Sequence, residues 1–406
     1  MFLIQQIALA ARNLLRQRRR TALGLGIVTG GVVALLLAGG FINWIFQDLR
    51  ESTIHSQLGH VQITRPGYLS QGLGDPYSYL LPAIGDAHVQ GIEGLTVLTP
   101  RLAFSGLISR GDETISFIGE GIDPAKEAPI ARAITIVSGH DLSGEAAPEV
   151  LLGEGLAANL GAQAGDLVVL LVTTAEGGIN AVELSVAGTF ATITKAYDDS
   201  VLRAPISVVR DLMRVEGATT WVALLDDTAA TDRAVEAFRT RLATDAFEVV
   251  PWHRLADFYN KTVDLFSRQV GVVRLLIALI VVLSISNTLS MSVIERTSEI
   301  GTMMALGVRR RAVLQLFVTE GAMLGLAGGL VGIVLGWLLA TLISAIGIPM
   351  PPPPGMARGY VGAIALTPAL VGDGMLLAFG TTLLESIAPA WKASRMNIVD
   401  ALRQSR

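Results

Sequence analysis

Four predominantly apolar stretches, residues 21–46, 270–293, 313–346 and 366–388, constrain this chain more than anything else in its sequence. Crossing about 30 Å of hydrocarbon takes roughly 20 apolar residues in a helix. Lipid offers no water to unpaired backbone groups, so a segment of this length in a bilayer must close its own hydrogen bonds as a helix. Charged residues are only 16% of the 406 positions, where soluble domains carry about a quarter, and the deficit fits the same reading. We therefore expect a multi-pass membrane protein with four spans.

Lys and Arg near span ends give the orientation, because cytoplasmic loops carry the excess. Arg12, Arg16, Arg18, Arg19 and Arg20 precede the first stretch. Arg296, Arg309, Arg310 and Arg311 lie between the second and third, and Lys392, Arg395, Arg403 and Arg406 follow the fourth. The loop between the third and fourth (347–365) holds only Arg358. Both termini and the second loop are expected on the cytoplasmic side of the inner (plasma) membrane. The first stretch is too long for a signal-peptide core and no small-residue cleavage site follows it, so it reads as a retained anchor.

Residues 47–269 then lie outside the cytoplasm and are mixed in character. Val61 and Ile63, and Val182, Leu184 and Val186, alternate with polar neighbours as half-buried strands do. From Thr231 a helical face carries Ala234, Val235, Phe238 and Leu242. This segment is long enough to bury its own core, and we expect an α+β domain of two subdomains divided near 121–133.

The membrane-proximal segments carry their own patterns. In residues 1–20, Ile4, Ile7, Ala8, Ala11, Leu14 and Leu15 form a stripe opposite Arg12, Arg16 and Arg19, which suits a helix in the inner interface. Leu255, Phe258, Tyr259, Val263, Phe266 and Val270 extend a stripe outward from the second span as a stalk. Glycines recur at four-residue intervals at Gly26/Gly30, Gly321/Gly325/Gly329 and Gly328/Gly332/Gly336. Such ridges bring helices close, within one subunit or across a pair. The proline run from Met350 to Gly355 is expected to be a stiff extended spacer.

Several function classes are excluded or weakened. The net charge of −4 argues against a nucleic-acid partner. With no cysteine there is no thiolate nucleophile or Cys-based zinc site, and His55 and His60 are expected to be solvated rather than metal ligands. Glu320, Asp373 and Glu385 lie in or near spans, but the first two spans hold no acid or histidine for a proton relay, so structural roles are expected. Arg274, near the outer end of the second span, is expected to snorkel to the interface. No motif for an enzyme is present.

The cytoplasmic segment 294–312 carries the most mechanism. Ile294, Met303 or Met304, and Leu306 can line one side of a short helix, with Glu295, Arg296 and Glu299 on another. Such a helix offers a knob and charges to a cytoplasmic partner, or lies on lipid headgroups; pattern alone leaves both open.

The run ERTSEIGTMMALGVRRRAVLQLFVTEG, beginning at Glu295, resembles the signature of the FtsX-like permease family, which includes MacB and LolC/LolE transporters. The tail 389–403, PAWKASRMNIVDALR, resembles that family's closing motif, and VLLGEGLAANLGAQAGD at 150–166 is similar to its extracytoplasmic domain. The resemblance implies a MacB-like periplasmic core between the first two spans. It also implies that Glu295, Arg296, Glu299, Ile300, Gly301, Met304, Leu306 and Gly307 belong to a coupling helix that docks on an ATPase. No phosphate-binding loop motif occurs in these residues, so no cofactor is expected on this chain, and ATP and Mg are expected on a separate ABC ATPase subunit.

Family members further imply a second permease as partner, alike or different, contact with membrane lipid, and a periplasmic adaptor or carrier. The work implied is extrusion or release of a lipoprotein, lipid or amphiphile. Ile42, Trp44, Ile45, Phe46, Val263 and Phe266 are candidates for cargo or hydrophobic contact, or equally an interfacial belt. The alternative is an FtsX-like signalling subunit that switches an extracytoplasmic hydrolase. FtsX-type outer domains are smaller, which favours transport.

Overall fold

A computed structural model describes residues 2–72, 74–85, 88, 91–243, 245–351 and 359–395. Residues 396–406 of the expected closing motif, and 352–358 of the proline loop with Arg358, lie outside the described residues. The helices are α1 (Phe2–Arg16), α2 (Arg18–Thr53), α3 (Glu154–Leu160), α4 (Ile206–Met213), α5 (Thr231–Arg241), α6 (Asp257–Glu295), α7 (Thr297–Ala305), α8 (Arg310–Ile346) and α9 (Pro368–Ser394). The strands are β1 (Val61–Thr64), β2 (Leu95–Arg110), β3 (Glu113–Ile122), β4 (Thr135–Gly139), β5 (Glu149–Gly153), β6 (Leu167–Thr173), β7 (Ile179–Ala191), β8 (Val201–Pro205), β9 (Thr220–Leu225), β10 (Glu248–Pro251), β11 (Ile348–Met350) and β12 (Tyr360–Gly362). Two compact units result, one of Met1–Phe46, Val263–Pro349 and Val361–Arg406, the other of Gln47–Thr262 and Met350–Tyr360.

The first unit is helical. Among the described residues, four helices are long and apolar enough to cross a membrane: α2, α6, α8 and α9. Each runs past its apolar stretch, as α2 does from Arg18 to Thr53, because backbone hydrogen bonding continues wherever the sequence supplies no breaker. Glycines set the closest approaches. A methyl group at Gly325 would fall 2.0 Å from Thr382 Oγ1 on α9, so only glycine fits that contact. Gly321 and Gly329 face α9 likewise, while Gly328, Gly332 and Gly336 face Val28, Val32 and Leu36 of α2. In lipid the gain from this packing is van der Waals contact, since apolar burial yields nothing extra. Gly26 and Gly30 face open space.

The second unit is a ten-stranded sheet ordered β10-β1-β9-β2-β3-β8-β5-β7-β4, with β6 pairing both β2 and β7. Those last two pairings close six strands (β2, β3, β8, β5, β7 and β6) into a ring. Its inward residues, among them Phe104, Phe117, Leu152, Leu170, Leu184 and Leu202, form one core with faces of α3 and α4. Alternation produces this directly: along β6 every second residue is buried. A second core lies under β1, β9 and β10, where Val61, Ile63 and Trp221 meet Ala234, Val235 and Phe238 of α5.

The chain enters the second lobe along β2, whose 16 residues serve both cores, and returns at β9. The expected division near 121–133 is therefore corrected: Gly121 sits inside the ring, paired with Leu102 and Ala204. The polar interruption there is a single turn, Pro124–Glu127, capped by the Asp123 side chain. An insertion between distant segments leaves no composition shift in the sequence.

The expected stalk stripe is broken once. Leu255 ends a separate turn, Trp252–Leu255, and α6 starts at Asp257. Phe258 is exposed, while Tyr259 stacks edge to face on Trp252 at 5.2 Å.

Candidate functional site

The segment 294–312 holds α7 between two breaks. At its start Arg296 leaves helical geometry with ψ 14°. At its end Gly307 takes φ +91°, a left-handed conformation that favours glycine, and its N–H caps Met304 O at 3.1 Å. The expected element 294–312 thus holds the end of α6, the short helix α7 and the start of α8, with non-helical residues on either side of α7.

Arg296 turns inward rather than outward. Its Nη1 donates to both Glu320 oxygens at 3.0 and 3.2 Å, its Nε donates to Glu299 Oε2 at 3.2 Å, and its guanidinium lies 5.4 Å from the Phe317 ring centre. Glu320 also accepts from Asn13 Nδ2 of α1 at 2.7 Å. Arg16 pairs with the second oxygen of Glu299 at 3.1 Å, and Arg20 pairs with Glu295. Both Arg296 and Glu320 are buried. A buried charge is tolerated only when paired and hydrogen-bonded throughout, and here α1, α7 and α8 each supply a partner.

The eight positions singled out from sequence divide in two. Ile300, Gly301 and Met304 are buried, and Ile300 and Met304 join Val293, Val313, Phe317, Ala390 and Ala393 in one apolar cluster. Arg296, expected on the charged outer side, is corrected to the interior; its partner Glu320 is 24 residues away, beyond any local pattern. Glu295, Leu306 and Gly307 are exposed, Glu299 half-buried. Leu306 is 82% exposed, and Ile294 is exposed as well. Sequence reading missed Asn13, Arg16, Arg20 and Phe317 as site residues; Asn13 and Arg16 lie on the polar side of the α1 stripe, where nothing local sets them apart.

At the other ends of the long helices, Ile42, Trp44, Ile45, Phe46, Val263 and Phe266 are all half-buried. The structure brings Phe46 and Phe266 together edge to face, centroids 6.5 Å apart. Arg274 meets Asp373 at 2.7 Å, so this arginine of α6 pairs with α9 instead of extending alone.

The expectation that His60 is solvated is also corrected. Its ring is buried: Leu225 N–H donates to Nδ1 at 3.0 Å, and Nε2 lies 2.9 Å from Thr228 Oγ1, which in turn reaches Glu51 at 3.2 Å. Burial, with the neighbouring His55 adding to it, holds this imidazole down to about 4. The neutral ring is thus favoured by the fold. Its contribution is full above the unfolded value near 6.5 and is lost as pH falls towards about 4. His60→Asn is expected to flatten the decline in melting temperature of the protein between pH 6.5 and 4, read by scanning fluorimetry. An unchanged slope would show that other groups carry it.

The family described as FtsX-like permease C-terminal matches residues 271–398, and the MacB-like periplasmic core domain matches residues 21–241. The chain is 24% identical to the lipoprotein-releasing system transmembrane protein LolC of Neisseria meningitidis over 401 residues, covering 93% of this chain and 91% of LolC. It is 28% identical to the macrolide export ATP-binding/permease protein MacB of Rhodospirillum rubrum over 413 residues, covering 98% of this chain and 60% of that one. An uncharacterized ABC transporter permease of Methanocaldococcus jannaschii is 28% identical over 224 residues, 54% of each chain.

Proposed function

The chain belongs to the FtsX-like, MacB-type family of ABC transporter permeases, and from that premise we propose that it receives the energy of ATP hydrolysis from a separate ATPase through α7. Nucleotide binding closes the ATPase and displaces α7. The long helices α2 and α6 carry the displacement outward, where the Gln47–Thr262 domain acts on a lipoprotein, lipid or other amphiphile at the outer side of the membrane. The chain works beside a second permease, with both termini cytoplasmic.

One observation carries this reading. A helix of nine residues is fixed by a buried ion network while its tip, Leu306 and Gly307, and the flanking Ile294 and Glu295 stay exposed. A bare lipid contact gains from an amphipathic stripe but has no use for a rigidly oriented tip. A docking knob does, since preorganisation lowers the cost of association.

The test is purification from its native membrane in mild detergent. The expected result is an ABC ATPase in the complex and ATP hydrolysis only when that subunit is present. Hydrolysis by the chain alone, or an outward-facing Glu295 in labelling of intact cells, would overturn the proposal.

A further inference from the structure

The outer end of α2 passes straight into a wide turn, Ile54–Leu58, whose last carbonyls have no helical partner of their own. Two arginines from the ring of strands take them. Arg203 of β8 donates from Nη2 to Ser56 O at 2.9 Å, and Arg101 of β2 donates from Nη1 to Gln57 O. Each arginine also holds a carboxylate, Arg203 with Glu120 of β3 at 3.1 Å and Arg101 with Glu127 of the turn after β3. Tyr197 Oη lies 3.3 Å from Arg203, and the Phe190 ring centre 5.6 Å. Both guanidinium groups are buried. Burial alone would raise the Glu120 carboxyl, but Arg203 and then Arg101 hold it below its ordinary value, so the network is ionised.

Such a cluster is expensive. Replacing buried ion pairs by packed apolar residues is often neutral or stabilising, so stability alone does not explain two of them side by side. What charge and fork geometry add is a fixed grip on main chain: a guanidinium spans a carboxylate and a carbonyl at once, which an apolar side chain cannot do. The first residue of α6 is held differently. Its neighbours Trp252, Ala256 and Tyr259 join Ile54, Ile130, Val222 and Leu224 in an apolar cluster, and Trp252 N–H donates to His60 O at 3.0 Å while Asn260 Nδ2 donates to His253 O at 2.7 Å, so its bonds lead to the chain beside β1 and to its own preceding turn.

We propose that Arg101 and Arg203 are positioning residues forming the joint at which movement of α2 is delivered to the six-stranded ring. This rests on the transmission reading above. Arg101 sits where β2 pairs with both β3 and β9, and so connects the two lobes. Load on the carbonyls of Ser56 and Gln57 therefore passes into both.

The native chain has no cysteine, so single introduced cysteines label cleanly. A donor fluorophore is placed at Gln47→Cys on α2 or at Glu113→Cys at the start of β3, both exposed. The permease–ATPase complex in nanodiscs with acceptor headgroups is compared with and without ATP and vanadate. In the native background both donors are expected to shift. With Arg101→Lys and Arg203→Lys combined, charge remains but the fork is lost: the Gln47 shift should persist and the Glu113 shift fall about threefold or more, ATPase rate staying within about twofold. Tyr259→Ala should preserve both shifts. A Glu113 shift that survives the double substitution overturns the joint alone, whereas no shift at Gln47 in the native background overturns the transmission reading and the joint with it. If the lysine variant does not fold, hydrogen exchange on the native complex decides. Amides of Gly59 and His60, bonded to Ile54 O and Ala223 O, should stay equally protected in both nucleotide states, and loss of protection with nucleotide would show that the joint yields.

Discussion

Arg296→Met is expected to destabilise the helical unit by about 3–5 kcal/mol, the cost of leaving a buried carboxylate without its cation. Glu320 would keep only the Asn13 amide, and α7 would lose its ionic tie to α8. Loss of the native state on heating in detergent, followed by size-exclusion chromatography, reads this directly. The double change Arg296→Met with Glu320→Leu removes both charges and is expected to recover most of that stability, within about 1–2 kcal/mol of the native chain. It should not recover ATPase stimulation, because α7 is then held by apolar contacts alone. Recovery of both would show that the ion network orients nothing. Arg296→Lys keeps the charge but cannot bridge Glu299 and Glu320 as a fork, so an intermediate loss is expected.

The second large effect lies on the exposed tip. Leu306→Asp puts a carboxylate where the proposed docking surface needs an apolar knob. Since Leu306 is exposed in the single chain, the change costs the fold little. A buried anchor at an interface contributes about 2 kcal/mol or more, so capture of the ATPase should weaken about thirtyfold or more. Pull-down from detergent extracts measures it, with melting temperature as the control. Capture at the native level with an unchanged melting temperature would remove Leu306 from the interface. The pairing of the two experiments separates orientation from contact: Arg296 acts through the helix, Leu306 at its surface.

Much of the fold was readable because it depends on local repetition. Strand β1 and helix α5 carry their burial pattern in four and eleven consecutive residues, with Val61, Ile63, Ala234, Val235 and Phe238 all inside. The α7 segment was readable as a short helix for the same reason. Which of its faces turns inward was not, because Ile300 and Met304 are no more apolar than Leu306. Only the presence of Phe317, Ala390 and Ala393 opposite decides which are covered. Arg101 and Arg203 stood in apolar strand runs, a signal that buried charge was present, though without naming partners.

By itself the sequence determined the elements whose physics is short-ranged: helices long and apolar enough to cross hydrocarbon, alternating strands, and the glycine ridges of α8. Tertiary structure alone decided the closure of six strands into a ring, the insertion of one lobe in the other, and the bond from Asn13 to Glu320 across 307 positions. The reason is physical. Hydropathy and periodicity fix how a segment meets solvent or lipid, whereas a buried charge is satisfied by whichever distant partner the folded chain delivers to it.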